Sequence, residues 1–462
     1  MNHQYKYICC IFSFLFICSC EPYGHLEDVE TNGQIPIEQA YTDKKTIEAA
    51  VIGSYASMRK YIGIVSYLSA MGISGKKTVH SYGEDSFLNN AVSPNSRTVM
   101  ETYAGLYRSI ANADEIINRV PKTSLYDLSE TEKNNIIGEA TFIKALSYFY
   151  LLRMYGQFYD INAEYGIILG PTKLDSNNHP ILKPRSSVKE TYDEILSLLN
   201  IALETDIPET REASRISKRG IKGFKAKVLL YMNSYEQAAN ISSEFIDISL
   251  RETYIDIYKK AHTATDVLFA SPTDYSRSNS QGGGFTTGIA PGSAYLESIH
   301  SIEKDSIRKS ITSTTPQLLD ITGFKWKFSY EFPPALLHLR LAEVVLIYAE
   351  AEARKTLING GSITDIPIAV AQLNKVRKRV GLDPKVPTSI PEFLEMIRLE
   401  KAMELYYENG EDWFDLIRYQ IAKDIDITTI KPTITNSSQY ILPIPLDEII
   451  QGQGVITQNP GY

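Results

Sequence analysis

ISKRGIKGFKAKVLLYMNSYEQAANISSEFIDI, residues 216–248, decides how this chain is built. Apolar residues recur at helical spacing as far as Tyr231, Met232-Asn233-Ser234 supplies a turn, and a second helix begins at Tyr235. Small residues stand at Ala226 and Ala238-Ala239, and the rings of Tyr231 and Tyr235 flank the turn. The stretch predicts a helix hairpin.

A comparable pair follows downstream. HLRLAEVVLIYAEAEARK (338–355) precedes IPIAVAQLNKVRKRVG (366–381), with Gly360-Gly361 in the connecting loop. Such pairs resemble tetratricopeptide units, and generic helix-hairpin packing is the alternative. Upstream the body also reads as helix after helix. Apolar residues keep helical spacing from Thr46 to Tyr61; between Glu101 and Val120, Tyr103, Leu106, Tyr107, Ile110, Ile117 and Val120 fall on one stripe. Glu130–Tyr155 begins after Ser129 as its N-cap and stops at Gly156, and Ser187–Thr205 ends before Pro208. The expected fold is mostly α, a tetratricopeptide-like helical-repeat scaffold with an irregular, loop-rich inserted region. Aromatic residues at helical spacing read as core.

The insertion is expected at 251–335, where the helical period fades. SRSNSQGGGFTTG (276–288) is rich in Ser and Gly, and Gly282-Gly283-Gly284 lacks the Gly-Lys-Ser/Thr that a phosphate loop requires. Irregular segments held by a rigid scaffold are where binding concentrates. This one carries Tyr275, Phe285, Tyr295 and Trp326. Flat rings stack on the C–H faces of sugars, so these four are candidate ligand contacts, with Trp326 first for its area. Tyr82 and Phe87, from the polar loop before Pro94, join them, and Asn89 and Asn90 could hydrogen-bond to hydroxyls.

The N-terminus reads as an export signal. After MNHQYKY an apolar run extends from Ile8 to Ile17, followed by Cys18-Ser19-Cys20. A membrane span needs about 20 apolar residues, so this run is a signal-peptide core. A small residue just before a cysteine suits a lipoprotein signal peptidase, which makes Cys20 the expected site of diacylglycerol attachment; an ordinary secretory signal is the alternative. Acyl chains bury at about 0.8 kcal/mol per CH₂, so a multiply acylated Cys20 would tether the protein almost permanently. EPYGHLEDVETNGQIPIEQAYTD, which follows, has too few large apolar residues to fold alone.

Cysteine and charge narrow the function classes. All four cysteines, Cys9, Cys10, Cys18 and Cys20, precede residue 21, so the body carries no disulfide, thiolate nucleophile or cysteine-ligated metal. The formal net charge of −8, with no basic run interleaved with aromatics, argues against a nucleic-acid partner. Past the signal, His25, His80, His179, His262, His300 and His338 stand singly, with no zinc-binding His pair, and no serine sits in a nucleophile elbow. Glu84-Asp85, Glu303 and Asp305 could in principle form a glycosidase pair, but among 55 acidic residues they read as solvated surface. Asp424 and Asp426 lack the rest of a calcium loop. Calcium is left undecided by these two residues; no catalysis or cofactor is expected, and no metal ligand is assigned.

The C-terminal third carries a resemblance. IRLEKAMELYYENGEDWFDLIRY (397–419) resembles the RagB/SusD pattern of an Arg-x-Glu helix, then Glu-Leu, then Gly-x-x-Trp-Phe-Asp-Leu-x-Arg. YILPIPLDEIIQGQGVITQNPGY (440–462) is similar to that family's closing Leu-x-Pro-Ile-Pro and Gln-Asn-Pro-Gly-Tyr. LRLAEVVLIYAEAEAR (339–354), LNKVRKRVGL (373–382) and the aromatic helix 139–156 match it as well. One departure is Gln157-Phe158-Tyr159-Asp160, where the family often places Gly and Pro. The resemblance implies a surface lipoprotein of Bacteroidota, anchored in the outer membrane, that captures nutrients, usually glycans. Its partner would be a TonB-dependent, SusC-like transporter, and it would cleave no bond. The implied organisation is a signal peptide (1–19), a lipid-anchored tether (20–42), an N-terminal helical region (43–250), the inserted segment (251–335) and a C-terminal RagB/SusD region (336–462). Trp413, Phe414, Asp415 and Arg418 are expected to pack within the scaffold. A peptide-binding member, a surface glycosidase and a helical-repeat adaptor without a small ligand remain as alternatives.

Overall fold

A computed structural model describes residues 40–61, 85–170, 181–272, 294–312 and 335–462, with residues 64, 68, 71–73, 75–77, 176 and 289–291 between them. The expected signal peptide, Cys20 and most of the tether lie outside the described residues, as do Tyr82, Tyr275, Phe285 and Trp326.

Helices dominate the chain. α1 (Lys44–Tyr61), α2 (Arg97–Arg119), α3 (Glu130–Tyr155), α4 (Val188–Glu204), α5 (Lys218–Tyr231) and α6 (Tyr235–Ser242) each pack on the next. Local chemistry sets their ends. Ser129 and Glu132 cap α3 reciprocally, and Ser187 and Glu190 do the same for α4, so each start satisfies orphan N–H groups with its own side chains. α2 begins four residues earlier than its apolar stripe predicts, because Ser96 supplies the N-cap. Between α5 and α6 the chain reverses at Asn233, whose φ of 59° lies in the left-handed region that Asn tolerates.

The stack continues past the insertion. α10 (Leu341–Ile358) packs on α5 and α6, then on α11 (Pro367–Arg379) and α12 (Ile390–Glu404); α13 (Glu411–Ile421) follows in the chain. The architecture is the expected tetratricopeptide-like scaffold. α3 and α10 are enclosed on nearly all sides, and the core runs through Phe142, Phe149, Leu346, Phe393 and Trp413. Their charged residues are buried with partners: Glu139 of α3 pairs with Arg211 and Arg215, and Arg153 with Glu411. Among the described residues no helix is long and apolar enough to cross a membrane.

Two readings need correction. Residues His338–Arg340 are not the start of a helix. They end β4 (Ala335–Arg340), which pairs antiparallel with β2 (Val267–Pro272). The 251–335 segment is also less irregular than its sequence suggests: it holds α7 (Tyr254–Lys260), β2, α8 (Ala294–Glu303) and α9 (Ser306–Thr312). A second short ribbon pairs β1 (Gly75–Lys77) with β3 (Ile289–Pro291), also antiparallel.

Candidate ligand site at the inserted segment

Each of two short ribbons pairs described residues that flank the candidate aromatics in sequence. In the first, Pro272 of β2 stands opposite Ala335 of β4, so the two ends of the intervening stretch lie side by side. Tyr275 follows Pro272 closely, and Trp326 precedes Ala335 in the same excursion. In the second, Lys77 stands opposite Ile289. Tyr82 comes a few residues after that strand, and Phe285 a few residues before its partner. Paired backbone thus joins the polar loop before Pro94 to the inserted segment. Sequence alone gave no reason to bring those two regions together.

The described candidates divide. Phe87 is fully buried in the main core, so its ring has no free face for a sugar, and its assignment as a stacking residue is corrected to packing. Asn90 is buried as well. Its Nδ2 donates to the Met71 carbonyl at 3.1 Å, its Oδ1 accepts from Thr433 Oγ1 at 2.6 Å, and its carbonyl accepts from Gln439 Nε2 at 2.7 Å. With those bonds made, Asn90 ties its loop to the C-terminal segment and is not placed to meet hydroxyls. Asn89 is exposed. Tyr295, on α8, is half-buried against the core edge, and its hydroxyl accepts from Arg398 Nη1 at 2.9 Å.

The motif residues behave as structure. Trp413 and Phe414 are fully enclosed. Arg418 donates through Nη1 to Asp415 Oδ1 at 2.7 Å and through Nη2 to Glu350 Oε1 at 2.5 Å, and Lys401 pairs with Asp415 Oδ2 at 2.6 Å. Burial alone would push the Glu350 carboxyl up, but Arg418, Lys401 and Arg354 hold it well below the usual carboxylate range. One motif residue reaches further: Asp412 Oδ2 accepts the Ile73 backbone N–H, two positions before β1.

The inserted helices are fastened to α12 by buried charge. Arg308 of α9 donates through Nη1 to Asp305 Oδ2 at 2.9 Å, and through Nη2 to Glu400 Oε1 at 2.5 Å and Glu404 Oε2 at 2.9 Å. Arg340 and Arg379 also reach Glu404. Glu303 pairs with Arg377 at 2.9 Å and Lys385 at 2.9 Å. Glu303 and Asp305 are therefore not solvated surface, as their sequence context suggests, but the ends of internal ion pairs. Sequence reasoning missed this network. One trace was available: Glu400 and Glu404 lie four apart, on one face of a helix.

Other chemistry is sparse. Among the described residues no group of three or more His, Cys, Asp or Glu is arranged to hold a metal ion. Asp424 pairs with Arg354, and Asp426 caps a short helix through Thr428. A polar pocket of about 370 Å³ opens where Gln157 meets Asn436, Ser437, Ser438, Pro460 and Gly461, and none of the candidate residues lines it.

Comparison with known proteins agrees with the fold. Residues 332–462 match the SusD family model, and residues 28–230 match the model for starch-binding proteins associating with the outer membrane. SusD-like protein P2 of Formosa agariphila is 23% identical over 520 residues, covering 94% of this chain and 96% of that protein. A SusD-like protein of Bacteroides ovatus is 23% identical over 374 residues, covering 69% and 65%. Among solved structures, a SusD superfamily protein from Bacteroides thetaiotaomicron superposes with a TM-score of 0.72 at 20% identity, covering 92% of this chain and all of that one. A laminarin-binding SusD-like protein superposes with a TM-score of 0.68 at 20% identity, covering 91% and 100%. Helical scaffold, buried C-terminal motif and matched models together place the chain in the SusD/RagB family.

Proposed function

We propose that the protein captures an oligosaccharide at the cell surface and delivers it to a TonB-dependent, SusC-like transporter, cleaving no bond. Its body is held at the outer membrane by a lipid on Cys20. The observation that supports the ligand reading is the pairing of Lys77 with Ile289, which joins the strand that precedes Tyr82 in sequence to the strand that follows Phe285. The laminarin-binding protein of the same fold supports a glycan as the class of ligand.

Affinity in such a site comes from several rings. A stack burying on the order of 60 Å² yields only about 1.5 kcal/mol at ~25 cal/mol per Å². Trp326, Tyr275, Phe285, Tyr82 and Tyr295 are the rings, and Asn89 is the amide we assign to hydroxyl binding.

Calorimetric titration against a panel of oligosaccharides and peptides tests the reading. A glycan should bind saturably, and Trp326→Ala should weaken it roughly tenfold, as ~1.4 kcal/mol implies, with an unchanged melting temperature. Saturable binding of peptides alone would replace the glycan with a peptide ligand. Cys20→Ala should shift the protein from the membrane to the soluble fraction. Mild detergent extraction of the unaltered protein should recover a large β-barrel protein in near-equal amount.

A further inference from the structure

Five buried polar side chains run in series from the base of the inserted segment to the C-terminal motif helix. Ser271 Oγ on β2 lies 2.8 Å from His338 Nε2 on β4. His338 Nδ1 lies 2.7 Å from the Tyr150 hydroxyl of α3, which donates to Asn409 Oδ1 at 3.0 Å. Asn409 Nδ2 donates to Glu411 Oε1 at 3.2 Å. All five are buried, and the imidazole lies flat on the Phe269 ring at 4.9 Å.

The direction of every proton in this series is determined from its acidic end. Burial pushes the Glu411 carboxyl up, but Arg153 and Lys227 outweigh it and hold it down at about 2, so at neutral pH it only accepts. Asn409 must therefore turn its NH₂ toward Glu411 and its oxygen toward Tyr150. Tyr150 then donates its single proton to Asn409 and can only accept from His338. Burial, with Lys227 and Arg153 nearby, pushes His338 down to about 3, so the ring is neutral and carries one proton. That proton has to sit on Nδ1, leaving the Nε2 lone pair for the Ser271 hydroxyl.

We propose that this one-way chain latches the base of the inserted segment to the scaffold, with Ser271 and His338 as positioning residues for ligand binding and Asn409 acting on the same base at a distance through Tyr150. The part that concerns binding rests on the function proposed above; the latch itself does not.

Two measurements on the full chain decide it. Imidazole ¹⁵N spectra, with His338 assigned by loss of its signals in His338→Gln, should show a protonated Nδ1 and a bare Nε2 from pH 5 to 8. A proton on Nε2 would overturn the chain. Hydrogen exchange of the 335–340 peptide should then rise by roughly tenfold in Ser271→Ala, as loss of one buried hydrogen bond allows. Asn409→Ala should raise it similarly, the double variant should exceed neither single by much, and Tyr150→Phe should abolish the Asn409 effect. Additive effects, or exchange that rises everywhere equally, would reduce these residues to ordinary packing. A laminarin oligosaccharide serves as the binding probe, replaced by whichever sugar of the panel binds best. Ser271→Ala should weaken it severalfold, and unchanged affinity would remove the positioning role. If the unaltered protein binds no sugar, the proposed function fails, while spectra and exchange still decide the latch.

Discussion

Asp412 Oδ2 accepts the backbone N–H of Ile73 at 3.0 Å, across 339 positions of sequence. The contact depends on the residue next to Ile73. A Cβ on Gly72 would stand 2.5 Å from Asp412 Oδ2 and 3.1 Å from the Trp413 backbone nitrogen and Cα. Only hydrogen fits there. The N-terminal segment that leads into β1 is thereby seated directly on the C-terminal motif.

Gly72→Ala is accordingly expected to destabilise the protein by about 1–3 kcal/mol, the usual cost of forcing atoms into a filled interior. Asp412→Asn keeps an oxygen for Ile73 and should cost less. Urea midpoints of the two variants check the order; a neutral Gly72→Ala would mean that the close approach is wrong.

Stability should vary with pH in two opposed ways. Glu411 is held at about 2, and Glu350 and Glu404 are likewise kept low by the guanidinium and ammonium groups around them, against the upward push of burial. Each binds its proton less readily folded than unfolded, so the stabilisation is complete above the ordinary carboxylate value of 4.5 and is lost as pH falls toward 2. Glu343 runs the other way. Burial pushes it up, Lys227 opposes, and Glu411 adds to the push, leaving it at about 7. Its ionisation costs stability as pH rises from 4.5 to 7. The melting temperature should therefore peak near pH ~5, between the two effects. Glu343→Gln should flatten the limb between that peak and pH ~7 and leave the acid limb intact. A flat limb in the unaltered protein would remove Glu343 from this account.

Arg185 fastens the chain terminus without a carboxylate among its hydrogen-bond partners. Its guanidinium donates to the carbonyls of Tyr155, Tyr165, Gly166 and Thr457 and to Asn459 Oδ1. Hydrogen bonds from a charged group each contribute about 1.5–3 kcal/mol, so Arg185→Ala should lower stability by about 2–4 kcal/mol after partial replacement by water. Carboxypeptidase digestion should remove the Asn459-Pro-Gly-Tyr462 end much faster in the variant. Arg185→Lys should rescue little, because a single ammonium cannot span these acceptors.

Local features were legible in the sequence and distant pairings were not. Ser129, Gly156 and the Met232-Asn233-Ser234 turn mark element ends because capping and chain reversal are settled by residues a few positions apart. His338–Arg340 misled because ALLHLR runs unbroken into a helix, and its strand partner lies far upstream at Val267–Pro272. Phe87 sits in a short helix, Asp85–Leu88, that its polar surroundings do not announce, and Asn90 is held by Thr433 and Gln439, far away in sequence. Arg308 and Glu404 illustrate the same limit for charge: composition cannot tell an internal ion pair from a solvated one. For the candidate ligand site, the sequence supplied the rings, of which Tyr82, Tyr275, Phe285 and Trp326 lie outside the described residues.

The facing of Pro272 and Ala335 has an evolutionary consequence. Because the two positions are neighbours, length can be added between them at little closure cost, but the latitude is bounded: Glu303 and Arg308 are bound to Arg377, Glu400 and Glu404 of the scaffold. Doubling the length of such a loop adds only about 0.6 kcal/mol of closure cost. Insertions and deletions in this stretch can therefore accumulate at little cost to the fold wherever those ion pairs are kept.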